Sequence, residues 1–187
     1  MPTPMVTVDG FGVPVEVAGP DRGSVVVLLG AAHQAPAAYE GVCQRLHTAN
    51  LKTVVIGPEP RLTAKSVISI LDGLEVRWAL LVGDRLGGEL AWELAATRLD
   101  RFIGLVVIDR GHPRVADLAG AIRDEDCPPV ELNTTALVST SAARAVAKAS
   151  QRFVYGEYRI VDLLGRRNAA DSTAQLAAEI VMRTSTW

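Results

Sequence analysis

Arg85 lies in the segment of this chain whose residue spacing is most typical of a catalytic turn. It stands between Gly83 and Gly87, after the apolar run 79–82 and before a stretch with helical spacing. Two glycines placed in this way are typical of a sharp, strained turn that presents its central side chain at the end of a strand. A nucleophile in such a turn needs a lone pair and a base that accepts its proton. Arginine is a permanent cation with no lone pair to offer, so the turn lacks a nucleophile.

Other candidates for acid–base chemistry are few. The chain has three histidines, and none follows His112. His33 and His112 lie after apolar runs, but neither belongs to a group of His, Cys or carboxylate residues with metal-ligand spacing. Asp109 is the obvious carboxylate candidate, because no Asp or Glu lies between Glu131 and Glu157. The sequence therefore predicts no catalytic residue, no metal site and no cofactor.

These residues follow short apolar runs that alternate with helical stretches, which is typical of a parallel sheet covered by helices. The first two runs alternate apolar with polar residues around a Gly-rich turn and predict an antiparallel hairpin at the sheet edge. The eight predicted strands are 5–8, 13–17, 25–29, 53–56, 79–82, 103–108, 135–139 and 157–163. The predicted helices are 36–49, 63–75, 87–98, 113–123, 142–150 and 171–183.

In an open parallel sheet, ligand sites lie beyond the carboxyl ends of the strands. We therefore expect functional residues in the segments that directly follow the predicted strands. These segments are 31–34, 58–59, 84–85, 109–112, 140–141 and 165–168.

Three of the runs resemble the α/β-hydrolase family. Residues 80–91 look like the strand, turn and helix of its nucleophile elbow, G-x-S-x-G, with Gly83 and Gly87 as the two glycines. Residues 26–31 resemble the strand that leads into the family's oxyanion loop, and 103–109 resembles the core strand after the elbow helix. The resemblance implies a single α/β-hydrolase-like domain over residues 1–187, with a mostly parallel eight-stranded sheet and helices on both faces. A nucleotide-binding fold is disfavoured because no G-x-G-x-x-G follows the first parallel strand and no P-loop lysine is present.

The chain departs from the family at every catalytic position. Arg85 stands where the family has its nucleophile, and Arg166 stands at or near the place of the histidine after the last strand. Residues 140–143 occupy the turn that usually carries the acid. The connection from Asp109 to Glu131 is too short for a lid, so we expect no cap domain and a shallow, open crevice.

Two readings of the crevice follow. Arg85 and Arg166 could converge beside a helix N-terminus and form an anion site. The alternative is that Arg85 is neutralised by Asp84, Asp109 or Glu59, because an arginine near a core needs a partner. The candidate ligand-binding residues are Arg85, Arg166, Leu86, Ala31, Ala32, His33, Asp109 and His112.

Composition limits the classes of partner. The chain has 187 residues, 49% of them hydrophobic and 21% charged, with a net charge of −2. This balance gives no basic field for nucleic acid or anionic lipid. Two cysteines are too few for a disulfide framework, and no apolar run is long enough for a membrane helix. We expect a cytoplasmic protein, with a homo-oligomer left open.

The sequence favours a non-catalytic homologue, a pseudoenzyme that binds a protein partner or a small anionic ligand. The alternative is an esterase or thioesterase that uses unconventional residues such as His112, Asp109 or a serine outside the elbow. A third reading is a structural subunit of an oligomer.

Overall fold

The chain forms one eight-stranded sheet that is parallel except at one edge. The computed structural model describes residues 3–32, 34, 36–164 and 169–185, with only the backbone of 169–171. The strands are β1 (Thr3–Val6), β2 (Gly12–Ala18), β3 (Ser24–Leu29), β4 (Leu51–Ile56), β5 (Ala79–Asp84), β6 (Phe102–Ile108), β7 (Thr134–Val138) and β8 (Tyr158–Asp162). Their order across the sheet is β1-β2-β4-β3-β5-β6-β7-β8. Among the pairings of the described strands, only β1–β2 and β2–β4 are antiparallel, and the β1–β2 pairing confirms the predicted edge hairpin.

Helices cover both faces of the sheet. They are α1 (Glu40–Thr48), α2 (Ala64–Gly73), α3 (Leu86–Thr97), α4 (Ser141–Ser150) and α5 (Ala169–Ser185). A 3-10 turn at Pro36–Tyr39 precedes α1. Among the described residues, no helix is both long and apolar enough to cross a membrane.

Side-chain alternation divides the core into two clusters. In β3, Val27 and Leu29 belong to the cluster that includes residues of α2, α3 and α4, whereas Val26 and Leu28 belong to the cluster that includes residues of α1 and α5. Successive side chains of a strand point to opposite faces, so runs that are apolar at every position are buried on both sides. This explains why the central strands carry continuous apolar runs.

The predicted helix at 113–123 is wrong, because the described backbone there is a series of turns. The Asp117 carboxylate accepts hydrogen bonds from the N–H groups of Ala119 and Ala121, both at 2.9 Å. Gly120 has a φ of +83°, in the left-handed region. Aspartate bonding to nearby backbone and a left-handed glycine both favour turns over helix.

Threonine hydroxyls cap the N-termini of two of the helices, α2 and α4. The Thr63 hydroxyl accepts a hydrogen bond from Ser66 N–H at 3.1 Å at the start of α2. The Thr140 hydroxyl accepts one from Ala143 N–H at 3.0 Å at the start of α4. Each of these hydroxyls satisfies one of the N–H groups that the first turn of a helix leaves without a partner.

Candidate functional site

The turn between β5 and α3 has the strained backbone that its two glycines predict. Arg85 links the strand to the helix with φ +50° and ψ −106°. A Cβ atom on Gly83 would lie 2.5 Å from the Cα of Gly88. One on Gly87 would overlap the carbonyl group of Leu29. The glycines therefore allow α3 to pack directly against the carboxyl ends of β5 and β3.

The Arg85 guanidinium is paired with its sequence neighbour. Its Nε and Nη2 donate to the two Asp84 carboxylate oxygens at 3.0 and 3.1 Å, a bidentate geometry. The Asp84 side chain is 6% exposed, whereas that of Arg85 is 51% exposed. Hydrogen bonding to this carboxylate raises the pKa of Arg85. The reading in which Arg85 is neutralised internally is thus the one that the side-chain contacts favour.

The Asp84 side chain is nearly buried and has a second partner besides Arg85. Asp84 is the last residue of β5 and faces the same side as Val82 and Leu80, toward α1 and α5. Its carboxylate accepts a hydrogen bond from the Tyr39 hydroxyl at 2.7 Å. That hydroxyl in turn accepts one from the N–H of Ala31 at 2.8 Å. Burial is the main cause that raises the pKa of Tyr39, so the phenol stays protonated.

Asp109 directly follows β6, at the neighbouring position of the sheet edge. Its backbone has φ +56°, in the left-handed region. Its carboxylate accepts a 2.7 Å hydrogen bond from the N–H of Ser139 and a second from the hydroxyl of Ser139. These contacts join the carboxyl ends of β6 and β7.

Asp84, Arg85, Asp109, Tyr39 and Ser139 line one depression of about 390 Å³ on the side of the sheet that α5 covers. We call this the Asp84 depression. It contains two carboxylates and one guanidinium from these five residues, so its described charge is negative overall. An anion therefore gains little there from Arg85.

A second depression lies on the opposite side of the sheet, against α3. It has a volume of about 450 Å³ and lies between the ends of β3 and β4, the first turns of α3 and the segment after β6. Ala32 and Leu86 belong to its lining, together with four carboxylates, those of Glu59, Glu89, Glu93 and Asp124. We call this second depression the carboxylate pocket.

His112 has no exposed surface. Its Nδ1 accepts the N–H of Arg114 at 3.1 Å, so Nε2 carries the proton and donates to the carbonyl of Pro128 at 2.7 Å. The ring stacks on Phe153 with centroids 4.8 Å apart. Burial lowers the pKa of His112, which keeps the imidazole neutral. We expected a crevice residue, but His112 is a core residue with both ring nitrogens engaged.

No known protein-family profile matches the sequence, and no curated protein matches it either. Solved structures match over nearly the whole chain. Epoxide hydrolase A from Mycobacterium thermoresistibile has a TM-score of 0.77 at 11% identity and covers 98% of this chain and 97% of its own. The esterase EaEST from Exiguobacterium antarcticum has a TM-score of 0.76 at 14% identity, covering 96% and 99%. An α/β hydrolase from Sphaerobacter thermophilus has a TM-score of 0.72 at 15% identity, covering 98% and 100%.

The chain has the α/β-hydrolase fold. Identities this low show the fold alone, so the roles of individual residues rest on the contacts described above. The match confirms the fold predicted from Gly83, Gly87 and the succession of strands along the chain.

The α/β-hydrolase fold brings some of the predicted residues together and separates others. Arg85 and Asp109 line the Asp84 depression, whereas Leu86 and Ala32 line the carboxylate pocket. Ala31 is buried and belongs to the lining of neither depression. His33 and Arg166 lie outside the described residues. The anion site expected between Arg85 and Arg166 therefore stays a prediction.

Sequence reasoning missed Tyr39 as a member of this site. Tyr39 lies 45 positions before Asp84, and nothing in its local pattern marks it as a hydrogen-bond partner. Glu89 and Glu93 were assigned to a helix without a functional role. Their spacing of four residues on α3 was the available signal that both would share one helix face. In the part of the chain that the structure describes, no group of three or more metal-ligating side chains comes together.

Proposed function

We propose that this chain is a non-catalytic binding module built on the α/β-hydrolase fold, which holds a small ligand or a protein partner at the carboxyl edge of its sheet. One observation carries the proposal. The residue in the strained turn after β5 is an arginine, and its guanidinium is held by Asp84 through two hydrogen bonds. A guanidinium cation that is hydrogen-bonded to a carboxylate offers no lone pair, so it cannot attack a carbonyl or an epoxide carbon.

Two further contacts support the absence of acyl transfer. The N–H of Ala31, which follows the strand resembling the one before the family's oxyanion loop, already donates to the Tyr39 hydroxyl. Stabilising an oxyanion requires donors that are free to bind the developing charge. His112 is buried and both of its ring nitrogens are hydrogen-bonded, so it is not available as a base for a bound substrate.

A hydrolase that uses unconventional residues is the second candidate. Solved structures with this fold include proteins named as epoxide hydrolases and as an esterase. The contact that favours such chemistry is the hydrogen bond from the Ser139 hydroxyl to the Asp109 carboxylate, since a carboxylate can accept the proton of an attacking hydroxyl.

An activity assay separates the two candidates. The purified protein is offered p-nitrophenyl acetate, p-nitrophenyl butyrate and styrene oxide, and is treated with a fluorophosphonate probe. We expect no turnover above buffer and no labelled serine. Saturable turnover or labelling that Ser139→Ala or Asp109→Asn abolishes would contradict the binding-module proposal and support the hydrolase. The variant Ser185→Ala, which changes a serine on α5 distant in sequence from the site, serves as the control.

A further inference from the structure

A buried histidine anchors the connection between β6 and β7. This connecting segment (residues 109–133) consists of turns and irregular backbone, apart from one bridge at Val130. The ring of His112 stacks on Phe153 with centroids 4.8 Å apart and meets the edge of Trp92 with centroids 5.7 Å apart. The N–H of His112 also donates to the Ser150 hydroxyl at 2.9 Å. These contacts attach the segment to α3, to α4 and to the turn after α4.

The two hydrogen bonds of the His112 ring require a neutral imidazole. The Pro128 carbonyl can only accept, so Nε2 carries a proton, and the Arg114 N–H can only donate, so Nδ1 carries none. An imidazolium has a proton on both nitrogens, and its Nδ1–H would oppose the Arg114 N–H. Protonation therefore breaks the bond that fixes the turn after His112. It also places a positive charge on a ring with no exposed surface.

The surroundings disfavour this imidazolium. Burial is the first cause that lowers the pKa of His112, and Arg114 and Arg123 lower it further, against the Pro128 carbonyl and Asp124. A buried cation next to two guanidinium groups is stable only when the ring reaches water. Further groups on the packed elements are Glu89, which pairs with Arg123, Glu93 on the same helix, Arg152 over the Phe153 ring, and Cys127, whose thiol pKa burial raises to about 11.

The part of the segment that follows His112 has few buried contacts. Residues 118–122 and 124–126 are exposed, and Leu118 and Ile122 are among them. Backbone hydrogen bonds join residues of the segment to each other, as in the bond from Asp124 N–H to the Pro113 carbonyl at 3.2 Å. Such a stretch opens at a lower free energy than the buried strands do. Because Pro113, Arg123 and Asp124 line the carboxylate pocket, opening of the segment changes one wall of that pocket.

We propose that His112 is a pH-sensitive switch for the connecting segment. The neutral imidazole holds residues 112–127 in place, and protonation of the imidazole releases them and removes one wall of the carboxylate pocket. The opening is local and precedes unfolding of the sheet. This inference does not depend on the proposed function, because no ligand enters it.

Proton linkage gives the size of the effect. In the open segment the ring is hydrated and has the ordinary histidine pKa of about 6.5, whereas the closed segment binds the proton more weakly. Between pH 7.5 and pH 5.5, the equilibrium constant for opening therefore rises by about threefold to tenfold.

Hydrogen exchange followed by mass spectrometry measures this opening, once the rates are corrected for the intrinsic effect of pH. The protection of peptides that cover 113–127 should fall by about threefold to tenfold from pH 7.5 to pH 5.5. It should stay below the protection of β5 peptides at both pH values, as expected for a local opening. Peptides that cover the turn between β1 and β2, which contains no histidine, are the control and should keep their protection.

Substitutions at two histidines locate the effect. His112→Asn keeps an acceptor that can bond to the N–H two residues later but takes up no proton, so the protection of 113–127 should change by less than about twofold between the two pH values. His47→Asn is the matched control on α1 and should respond as the parent does. Glu93→Gln removes a carboxyl group near Arg123 whose pKa burial raises, and it should also keep the response of the parent.

Nitrogen-15 NMR of the parent tests the premise without any substitution. At pH 7.5 the His112 ring should be neutral with its proton on Nε2. A proton on Nδ1 at this pH would overturn the inference. So would a change in protection of less than about twofold in the parent, an equal change in His112→Asn, or opening of 113–127 only together with β5.

Discussion

At the scale of single residues, the pairing of Arg85 with Asp84 accounts for the presence of a charged side chain at each position. A carboxylate that is nearly buried is costly unless hydrogen bonds and an opposite charge compensate it. Asp84 receives both, from the Tyr39 hydroxyl and from the Arg85 guanidinium. Arg85 meanwhile remains half exposed, so its own burial costs little. The pair therefore stabilises the fold mainly by satisfying Asp84.

The first stability prediction concerns this pair. Arg85→Ala should lower the free energy of unfolding by about 1–3 kcal/mol, because it leaves a buried carboxylate with only one described hydrogen-bond donor. The measurement is the urea midpoint and slope at neutral pH.

Arg98→Ala provides a matched control for that measurement. Arg98 binds Asp100 with the same bidentate geometry, at 3.0 and 3.1 Å, but the Asp100 side chain is 62% exposed. Its loss should cost about 0.5 kcal/mol or less. Equal effects of the two substitutions would mean that Asp84 does not depend on Arg85.

At the scale of elements, the turn between β5 and α3 depends on close backbone packing. Gly87 lets the first turn of α3 approach the carbonyl of Leu29, and Gly83 lets β5 pass beneath Gly88. The sequence predicts this turn because its requirement is local, namely two positions without a Cβ. The turns at 113–123 were mistaken for a helix because helical spacing outweighed Asp117 and Gly120, whose bonding to the backbone decides the conformation.

The second prediction tests this packing. Gly87→Ala should lower the free energy of unfolding by about 3 kcal/mol or more, because the added methyl group meets rigid backbone rather than a flexible side chain. Gly12→Ala is the control, since a Cβ there meets no heavy atom within 4 Å. It should change stability by at most about 0.5 kcal/mol. A mild effect at Gly87, measured by urea unfolding, would contradict the tight approach of α3 to β3.

For the whole molecule, the sequence predicted the architecture better than the site. The positions of the strands along the chain and the edge hairpin follow from apolar runs and turn residues, which are local signals. The site depends on contacts between distant segments, such as Tyr39 with Asp84 and Asp109 with Ser139. Neither hydrophobic spacing nor turn chemistry encodes which polar side chains meet after the strands pair. The buried position of His112 was missed for the same reason, since its partners Pro128, Ser150 and Phe153 come from later segments.

The last prediction is a pH dependence of global stability that arises from His112. Burial lowers the pKa of His112 in the folded state, whereas the unfolded chain has a histidine pKa of about 6.5. As the pH falls through this value, the unfolded state therefore binds more protons than the folded state does. The free energy of unfolding consequently becomes smaller as the pH falls. The loss begins near pH 6.5 and continues down to the folded pKa, with a slope of at most about 1.4 kcal/mol per pH unit from this one group.

Urea unfolding at pH 7.5 and at pH 5.5 measures the effect, comparing the parent with His112→Gln. The substitution should lower stability at pH 7.5, because it removes the ring that stacks on Phe153 and bonds to Pro128. It should also flatten the dependence on pH, because glutamine has no proton to gain in this range. Glu93 acts in the opposite direction at lower pH, since its raised pKa lets the folded state take up a proton first, and the comparison is therefore confined to the range above pH 5.5. A variant that lost as much stability as the parent between the two pH values would show that other groups carry the dependence.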